Sequence, residues 1–359
     1  MALKDLLNAL FGRKMPAQES SGTQGTVSTA RLVPDSASEP AQICDPKILL
    51  IILDPIMDAA SGRRLSGEMD WGRPDDLVSR FIAEVLQASG GLVRYRVAER
   101  MQLDEFPALA DGFRYTAETY REVQNRKVAP HAPSGVDYSA ILERFDVQRR
   151  VESGKIDEVW LMGFPHAGLY ESVMAGPGAF WCNAPPLAQT SRWKRRCVIM
   201  GFSFEREVGE MLHSYNHRAE AIMARMFGSL NFLAWAYKPN RVPATVAADQ
   251  KLNPFEQFIL FDQIAPGKAG VGTVHYAPNG ARDYDLGSPR MVSSNCYDWL
   301  QFPKFQGDVR RVSASEWGGG SERAYQRWWM NHLPKTAGRR DGIHNNWWQY
   351  IANLDNISS

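Results

Sequence analysis

Cysteine is scarce in this chain of 359 residues, and its cysteines are not paired in the sequence. They are Cys44, Cys182, Cys197 and Cys296, and no two of them have the CxxC spacing of a zinc or redox motif. Scattered cysteines are typical of buried thiols in a reducing compartment. The default prediction is therefore a reduced, cytoplasmic protein with buried thiols, and the alternative is an exported form with one or two disulfides.

Long apolar runs and an excess of one charge are also absent. No segment approaches the roughly 18 apolar residues of a transmembrane helix, and the N-terminus lacks the apolar core of a secretory signal. The 41 basic and 40 acidic residues give a net charge of +1, so nucleic acid is not an expected partner. The expected partner is a small-molecule, peptide or glycan substrate.

Four common catalytic signatures are missing as well. The chain contains neither the HExxH of zinc peptidases nor the GxSxG of serine hydrolases. It also lacks the phosphate-binding GxxxxGK[ST] and the dinucleotide-binding GxGxxG. Candidate functional residues must therefore be inferred from their spacing and from their expected place in the fold.

The composition divides the chain into four parts. Residues 1–14 predict a short amphipathic helix that could dock to a partner or to a membrane surface. Residues 15–44 are rich in Ser, Thr, Ala, Pro, Gln and Gly and predict a disordered linker. Residues 45–252 predict an α/β core, and residues 253–359 predict a loop-rich, Trp-rich region packed on that core.

Short apolar runs alternate with helical patterns in the core. The expected strands are Lys47–Leu53, Leu92–Val97, Ile156–Met162 and Arg196–Met200. The expected helices are Pro74–Ser89, Thr116–Asn125, Tyr138–Glu152, Glu205–Phe227 and Pro254–Ile264. A strand–helix–strand unit favours parallel pairing with a right-handed crossover. The predicted fold class is thus α/β, an open and mostly parallel sheet with flanking helices, with the aromatic C-terminal region covering one side.

The helix expected at Glu205–Phe227 carries the clearest chemical pattern. Its apolar residues form one stripe, and Glu210, His213 and His217 lie on the opposite side at i, i+3 and i+7. Side chains at this spacing can converge, and two imidazoles four residues apart can share one metal ion. We predict a divalent metal site, with zinc as the first choice, in which His275 is the preferred further ligand; His344, Asp283, Asp285 and Glu316 are the alternatives. The alternative is a solvated polar face.

Polar residues expected at strand ends supply the other candidates. Ligands of open α/β sheets bind beyond the carboxyl ends of the strands, where Asp54, His166, Glu171 and Glu205 are expected. Because the helical string HSYNH lacks the catalytic Glu of HExxH, Glu171 or Glu205 would have to activate a metal-bound water. We expect Asp54 and His166 to bind substrate. The alternative for the acidic residues Asp54 and Glu205 is that they cap turns or helix starts.

Tryptophan is frequent in the C-terminal region, close to acids and amides. Glu316, Trp317 and Trp348 are candidates for substrate binding because aromatic rings can stack on flat ligands such as sugars, while a Trp-rich core is the alternative. The first hypothesis is a metal-assisted hydrolase for peptide, amide or glycan substrates. The second is a metal-free protein that binds or hydrolyses glycans. The third is a non-enzymatic interaction protein tethered by its N-terminal helix.

Overall fold

The computed structural model describes residues 35–238 and 245–357. The strands are β1 (Lys47–Leu53), β2 (Ile56–Asp58), β3 (Arg63–Arg64), β4 (Arg96–Leu103), β5 (Glu158–Gly163), β6 (Ser172–Ala175), β7 (Cys197–Ser203), β8 (Val292–Ser294), β9 (Arg310–Val312), β10 (Lys335–Arg340) and β11 (Ile343–Asn346). The α-helices are α1 (Leu65–Glu68), α2 (Pro74–Ala88), α3 (Ala117–Gln124), α4 (Tyr138–Arg144), α5 (Val147–Glu152), α6 (Val208–Met226), α7 (Leu230–Ala236), α8 (Pro254–Phe258), α9 (Glu322–Asn331) and α10 (Trp348–Ile351). Short 3₁₀ helices cover Ala188–Thr190, Cys296–Gln301, Ala314–Trp317 and Leu354–Asn356.

Five strands form the central sheet, in the order β4-β1-β5-β7-β6. Strands β4, β1, β5 and β7 are parallel, and β6 pairs antiparallel with β7 at one edge. The predicted α/β class with an open, mostly parallel sheet and flanking helices is therefore confirmed. Strands β1 and β5 are buried along almost their whole length, as expected for apolar strands in the middle of a covered sheet.

The second predicted strand is displaced along the chain. Strand β4 covers Arg96–Leu103 instead of Leu92–Val97, and Val93 makes only an isolated bridge to Cys44. The reason is that β4 is an edge strand of the sheet, so most of its side chains are exposed or half-buried. The apolar residues that suggested a strand lie in the approach to it.

The predicted helix Tyr138–Glu152 is interrupted. It forms α4 and α5, which are separated at Asp146, whose φ of 46° lies in the left-handed region. By contrast, α2 and α3 end within one residue of their predicted bounds. Helix α6 begins at Val208, three residues after its predicted start, and ends one residue early.

The predicted helix Pro254–Ile264 is also shorter in the structure. Helix α8 ends at Phe258. The carbonyl oxygens of Phe258 and Leu260 accept hydrogen bonds from the amides of Val271 and Gly270. These carbonyls are satisfied by a returning segment of chain, so the helix does not need to continue.

Helix α6 is enclosed by the rest of the fold. It packs against β7 and α2 of the core and against α9 and α10 of the C-terminal region. Sixteen of its 19 residues are buried, so the side opposite the apolar stripe faces protein and not bulk water. Polar side chains on this helix therefore need hydrogen-bonding partners inside the protein.

A buried ion pair joins α6 to the sheet. The two terminal nitrogens of Arg218 donate to the carboxylate of Glu158 over 2.6 and 2.5 Å. Arg218 also donates to the carbonyl oxygen of Ile351 in α10, and Tyr95 and Trp160 donate to the Glu158 carboxylate. One guanidinium group thus connects the sheet, α6 and the C-terminal region.

The first described residues run along the C-terminal hairpin formed by β10 and β11. Ser36 pairs with Arg339 of β10, and Glu39 forms an ion pair with the same arginine. The part of the predicted 15–44 linker that begins at residue 35 is therefore held by the fold. The helix predicted at residues 1–14 and the rest of the linker lie outside the described residues. None of the helices in the described ranges is long and apolar enough to cross a bilayer.

Glu158→Gln is expected to lower the free energy of unfolding by about 3–5 kcal/mol, because it leaves the Arg218 charge buried without a counter-charge. Urea denaturation measures this loss. Asp75→Asn is the control, since it breaks an exposed pair with Arg100 and is expected to lower stability by less than about 1 kcal/mol. Equal losses for the two variants would contradict the prediction.

Candidate metal centre

Three histidines from two parts of the chain meet beside α6. His213 and His217 lie one turn apart on α6, and His275 lies in the long loop after α8. Their candidate ligand nitrogens all lie within 4.8 Å of one another. The side chains are only 3%, 8% and 3% exposed, so the predicted alternative of a solvated polar face is wrong for these residues. The group could hold a metal ion.

Hydrogen bonds fix the loop that carries His275. The amide of Val274 donates to the Glu220 carboxylate on α6 over 2.9 Å. From α9, the Gln326 side chain donates to the Val274 carbonyl oxygen, and the Tyr325 hydroxyl donates to the Thr273 carbonyl oxygen. Because the loop is attached to α6 and α9 immediately before His275, the third imidazole is held against the other two.

Each imidazole also faces a carboxylate through its other ring nitrogen. These Nδ1–oxygen pairs are His213–Glu322 at 3.1 Å, His217–Glu220 at 3.0 Å and His275–Asp283 at 2.8 Å. An ionised carboxylate can only accept hydrogen bonds, so a neutral imidazole beside it donates its Nδ1 proton. For His217 this requires the ionised form of Glu220, which burial disfavours. Carboxylates in this position fix the orientation and tautomer of histidines that ligate metals.

The tautomer that these carboxylates favour leaves the Nε2 atoms as acceptors. Two of them, His217 Nε2 and His275 Nε2, are 3.0 Å apart. Two lone pairs at this distance repel each other unless a proton or a cation lies between them. A metal ion could satisfy all three acceptors at once, because neutral imidazole nitrogen is a common ligand of zinc and related ions.

The pKa shifts of the histidines follow from burial and neighbouring charge. Burial lowers the pKa of His217 well below its usual value, and the charges of His213 and His275 lower it further. Burial also lowers the pKa of His275. Burial acts in the same direction on the pKa of His213, but Glu322 and Glu171 outweigh it and the pKa is raised. At neutral pH, His217 and His275 are therefore neutral, as metal ligation requires.

Glu220 is the most enclosed carboxyl group of the site. Burial raises its pKa to about 8, although hydrogen bonds from the Tyr237 hydroxyl and the Val274 amide act in the opposite direction. The Tyr237 hydroxyl donates to Glu220 over 2.6 Å. A cation near His217 would favour the ionised form of Glu220 and so offset part of its burial penalty.

A tyrosine that the sequence analysis did not select completes the group. The Tyr284 hydroxyl oxygen is 2.9 Å from His275 Nε2 and 3.4 Å from His213 Nε2. Its ring is stacked with the ring of His213, with centroids 5.8 Å apart. The phenol oxygen therefore lies on the same side of these imidazoles as the point where the nitrogens converge.

Glu210, the fourth predicted metal ligand, is directed elsewhere. Its carboxylate pairs with Arg206 one turn earlier, and it is not a member of the histidine group found among the described residues. Its charge still acts on the pKa of His213. Of the predicted ligand set, the structure brings together the three histidines.

A cleft of about 330 Å³ lies at the carboxyl ends of β5 and β7. Glu210 and Ser214, each within one turn of His213, form part of its wall. Glu171 also lines the cleft, and its charge contributes to the pKa shifts of His213, His275 and Tyr284. The cleft therefore lies near the His213 end of the group, although none of the three histidines is among its lining residues, and its volume is in the range of small-molecule sites.

Three of the residues predicted from strand ends line this cleft, namely His166, Glu171 and Glu205. Asn183 donates a hydrogen bond to the Glu171 carboxylate. Burial lowers the pKa of His166, against the effect of Glu205. Asp54 does not line the cleft. It is buried and accepts hydrogen bonds from the amide and hydroxyl of Ser66 at 2.9 and 2.7 Å. These contacts correspond to the predicted alternative, in which Asp54 caps a turn or a helix start.

The aromatic candidates lie away from the cleft walls. Trp317 and Trp348 are 1% and 0% exposed, and the Trp317 ring nitrogen donates to the Leu286 carbonyl oxygen. Burial leaves neither ring a free face for a ligand, which argues against the predicted role in substrate binding. Glu316 is exposed and accepts a hydrogen bond from Tyr297. The tryptophans form aromatic clusters within the fold, which agrees with the predicted alternative of a Trp-rich core.

Most of the residues that sequence reasoning missed are distant in the chain from the helical histidines. They are Tyr237, Tyr284, Glu322 and Gln326, together with the pairing roles of Glu220 and Asp283. The spacing of Glu220 at i+3 from His217 was a usable local signal. No periodic pattern could associate Glu322 with His213, since 109 residues separate them in the numbering.

Comparison with known proteins gives no relative for this arrangement. No protein-family model, no curated protein and no solved structure matches the chain. What the group can bind must be inferred from its own geometry.

Purified protein is expected to carry one zinc ion per chain after incubation with the metal and removal of the excess. Elemental analysis should show that His217→Ala and His275→Ala lose this ion, because each removes one converging Nε2. His131→Ala is the matched control, since His131 stacks on Phe113 and bonds Asp111. Equal metal content in all three variants would refute the site.

Asp283→Asn is expected to weaken zinc binding by roughly 10–100-fold, because the carboxylate that orients His275 is lost. Competition with a chelator of known affinity measures the change. Asp285→Asn serves as the control two residues away, where the carboxylate accepts a hydrogen bond from the Ala281 amide. The same weakening in both variants would show that the loop as a whole, and not the His275 contact, sets the affinity.

Proposed function

We propose that this protein is a metal-assisted hydrolase whose divalent ion, zinc by preference, is bound through the Nε2 atoms of His213, His217 and His275. The observation that carries the proposal is that three buried imidazoles converge and that each faces a carboxylate through Nδ1. Three histidine ligands with a fourth position for water or substrate are typical of catalytic zinc.

The chemistry of such a centre would be the activation of water. Zinc bound to three nitrogens lowers the pKa of a bound water to about 7 and polarises a substrate carbonyl oxygen. Glu171 is our candidate for the general base, because it lines the nearby cleft and its charge acts on His213 and His275. Glu205, which lines the same cleft, is the second candidate.

The size and the polar lining of the cleft favour a compact, polar substrate. Its volume of about 330 Å³ is near the lower end of the range for small-molecule sites, which suits one or two residues of a peptide or one or two sugar units. Carboxylates and the imidazole of His166 line it, so amide and hydroxyl groups of a substrate would find hydrogen-bonding partners. We propose a peptide, amide or glycan-type substrate on these grounds.

A metal-free glycoside hydrolase is the second candidate function. It is favoured by one observation, the presence of Glu171 and Glu205 in one cleft, since glycosidases use a pair of carboxyl groups. The buried state of Trp317 and Trp348 removes the aromatic platform that this hypothesis included. The metal-assisted hydrolase therefore accounts for more of the buried polar groups.

Glu171→Gln is expected to reduce kcat by roughly 10²–10⁴-fold while zinc remains bound, because the general base is lost. The assay is a panel of chromogenic peptide anilides, esters and glycosides, measured with zinc-loaded and zinc-depleted protein. Hydrolysis should require zinc and should be lost in His217→Ala.

Glu207→Gln is the control for this experiment. Glu207 pairs with Arg80, is two residues from Glu205 and is not among the residues lining the cleft, so activity should be unchanged. Hydrolysis that persists without zinc and disappears in Glu171→Gln would instead favour the metal-free glycosidase. No hydrolysis of any substrate class by the zinc-loaded protein would count against both candidates.

A further inference from the structure

The phenol oxygen of Tyr284 stands at ligand spacing from the histidine group. A tetrahedral centre with metal–nitrogen bonds of about 2.0–2.1 Å separates its donor atoms by roughly 3.3 Å. The two Tyr284 distances, 2.9 Å to His275 Nε2 and 3.4 Å to His213 Nε2, bracket that value. The 3.0 Å between His217 Nε2 and His275 Nε2 is similar. These three distances match tetrahedral spacing, and the three histidine ligand atoms all lie within 4.8 Å of one another.

The backbone around Tyr284 directs its ring toward the histidine group. Its φ of 56° lies in the left-handed region, which a bulky side chain seldom adopts. The Tyr284 amide donates to the carbonyl oxygen of His275 over 3.2 Å. The preceding residue, Asp283, holds His275 Nδ1. The two adjacent residues Asp283 and Tyr284 thus orient His275 and place a phenol oxygen beside its Nε2 atom.

Tyr284 differs from the three histidines in its solvent exposure and in its hydrogen-bonding partners. It is 47% exposed, whereas the three histidines are buried. Each histidine is braced by a carboxylate. The polar contacts of the Tyr284 hydroxyl within the described residues are the two imidazole nitrogens themselves. Of the four donors, Tyr284 is therefore the one that can leave with the least disturbance of the core.

We propose that Tyr284 is the fourth ligand of the metal in the resting protein and yields its position to the oxygen atom of the substrate. This inference rests on the proposed function, because it needs the three-histidine metal site. Four protein donors make a closed site, whereas catalysis needs an open position, and exchange of the exposed phenol for substrate supplies one. Tyr284 would bind as the phenolate, with its proton released to water. On exchange the bond between the metal and the phenolate oxygen breaks, a bond between the metal and the substrate oxygen forms, and the released phenolate takes up a proton from water.

Two measurements on substituted protein test the inference. In the copper(II) form, a phenolate oxygen bound to the metal gives a charge-transfer absorption, which Tyr284→Phe should abolish while copper remains bound. In the cobalt(II) form, acetohydroxamic acid, a chelating mimic of a substrate carbonyl, should bind at least tenfold more tightly to Tyr284→Phe, because no phenol has to be displaced. Changes in the visible spectrum of cobalt report that binding.

Tyr276→Phe is the matched control for both measurements. Tyr276 is next to His275 in the same loop, and its ring is stacked on Phe261 with centroids 4.6 Å apart. This variant should keep the charge-transfer band and the hydroxamate affinity of the starting protein. If metal binds and Tyr284→Phe is indistinguishable from this control, the role of Tyr284 is refuted while the three-histidine site stands. If neither the starting protein nor Tyr284→Phe binds metal, the proposed site fails and the inference fails with it.

Discussion

The enclosure of α6 on all sides is the constraint on which the rest of the structure depends. A helix with 16 buried residues out of 19 cannot leave polar side chains unpaired without losing stability. Arg218 meets this requirement toward the sheet through Glu158. His213 meets it through Glu322 of the C-terminal region, and His217 meets it through Glu220 of α6 itself and through His275. The ion pair and the histidine group therefore both supply hydrogen-bonding partners for polar side chains buried on α6.

The histidine group consequently depends on the docking of the C-terminal region. His275, Asp283, Tyr284 and Glu322 all follow residue 253, whereas His213 and His217 belong to the core helix. The two α6 imidazoles alone would form an incomplete site. Binding of a metal ion to residues from both regions would link the binding free energy to the stability of their contact. In this arrangement a ligand that binds only the assembled group stabilises the assembled fold.

Local periodicity predicted the α/β class and the pair of histidines on α6. His275 was chosen among several possible ligands by its residue type alone. Periodicity could not predict that the polar side of α6 would be covered by the C-terminal region. An amphipathic pattern looks the same whether the polar side faces water or packs against another part of the protein. Glu210 illustrates the limit: it has the correct i, i+3 spacing to His213, yet Arg206 at i−4 takes its carboxylate. Glu322 and Tyr284 reach the site through tertiary packing of loops and α9, which leaves no short-range signal in the sequence. The edge strand β4 was misplaced for a related reason, since an exposed strand lacks an apolar run.

The energetics of the group favour a functional interpretation over a structural one. Buried polar networks are often less stabilising than apolar side chains of similar volume, because desolvation opposes the hydrogen bonds formed. Here burial raises the pKa of Glu220 to about 8 and lowers that of His217, so the surroundings disfavour the charged forms of both groups. The left-handed backbone at Tyr284 adds strain of about 1–3 kcal/mol. A core selected for stability alone would be better served by leucine and phenylalanine at these positions. A bound divalent ion would change that balance, because it would bind the three converging lone pairs and favour the ionised carboxylates behind them.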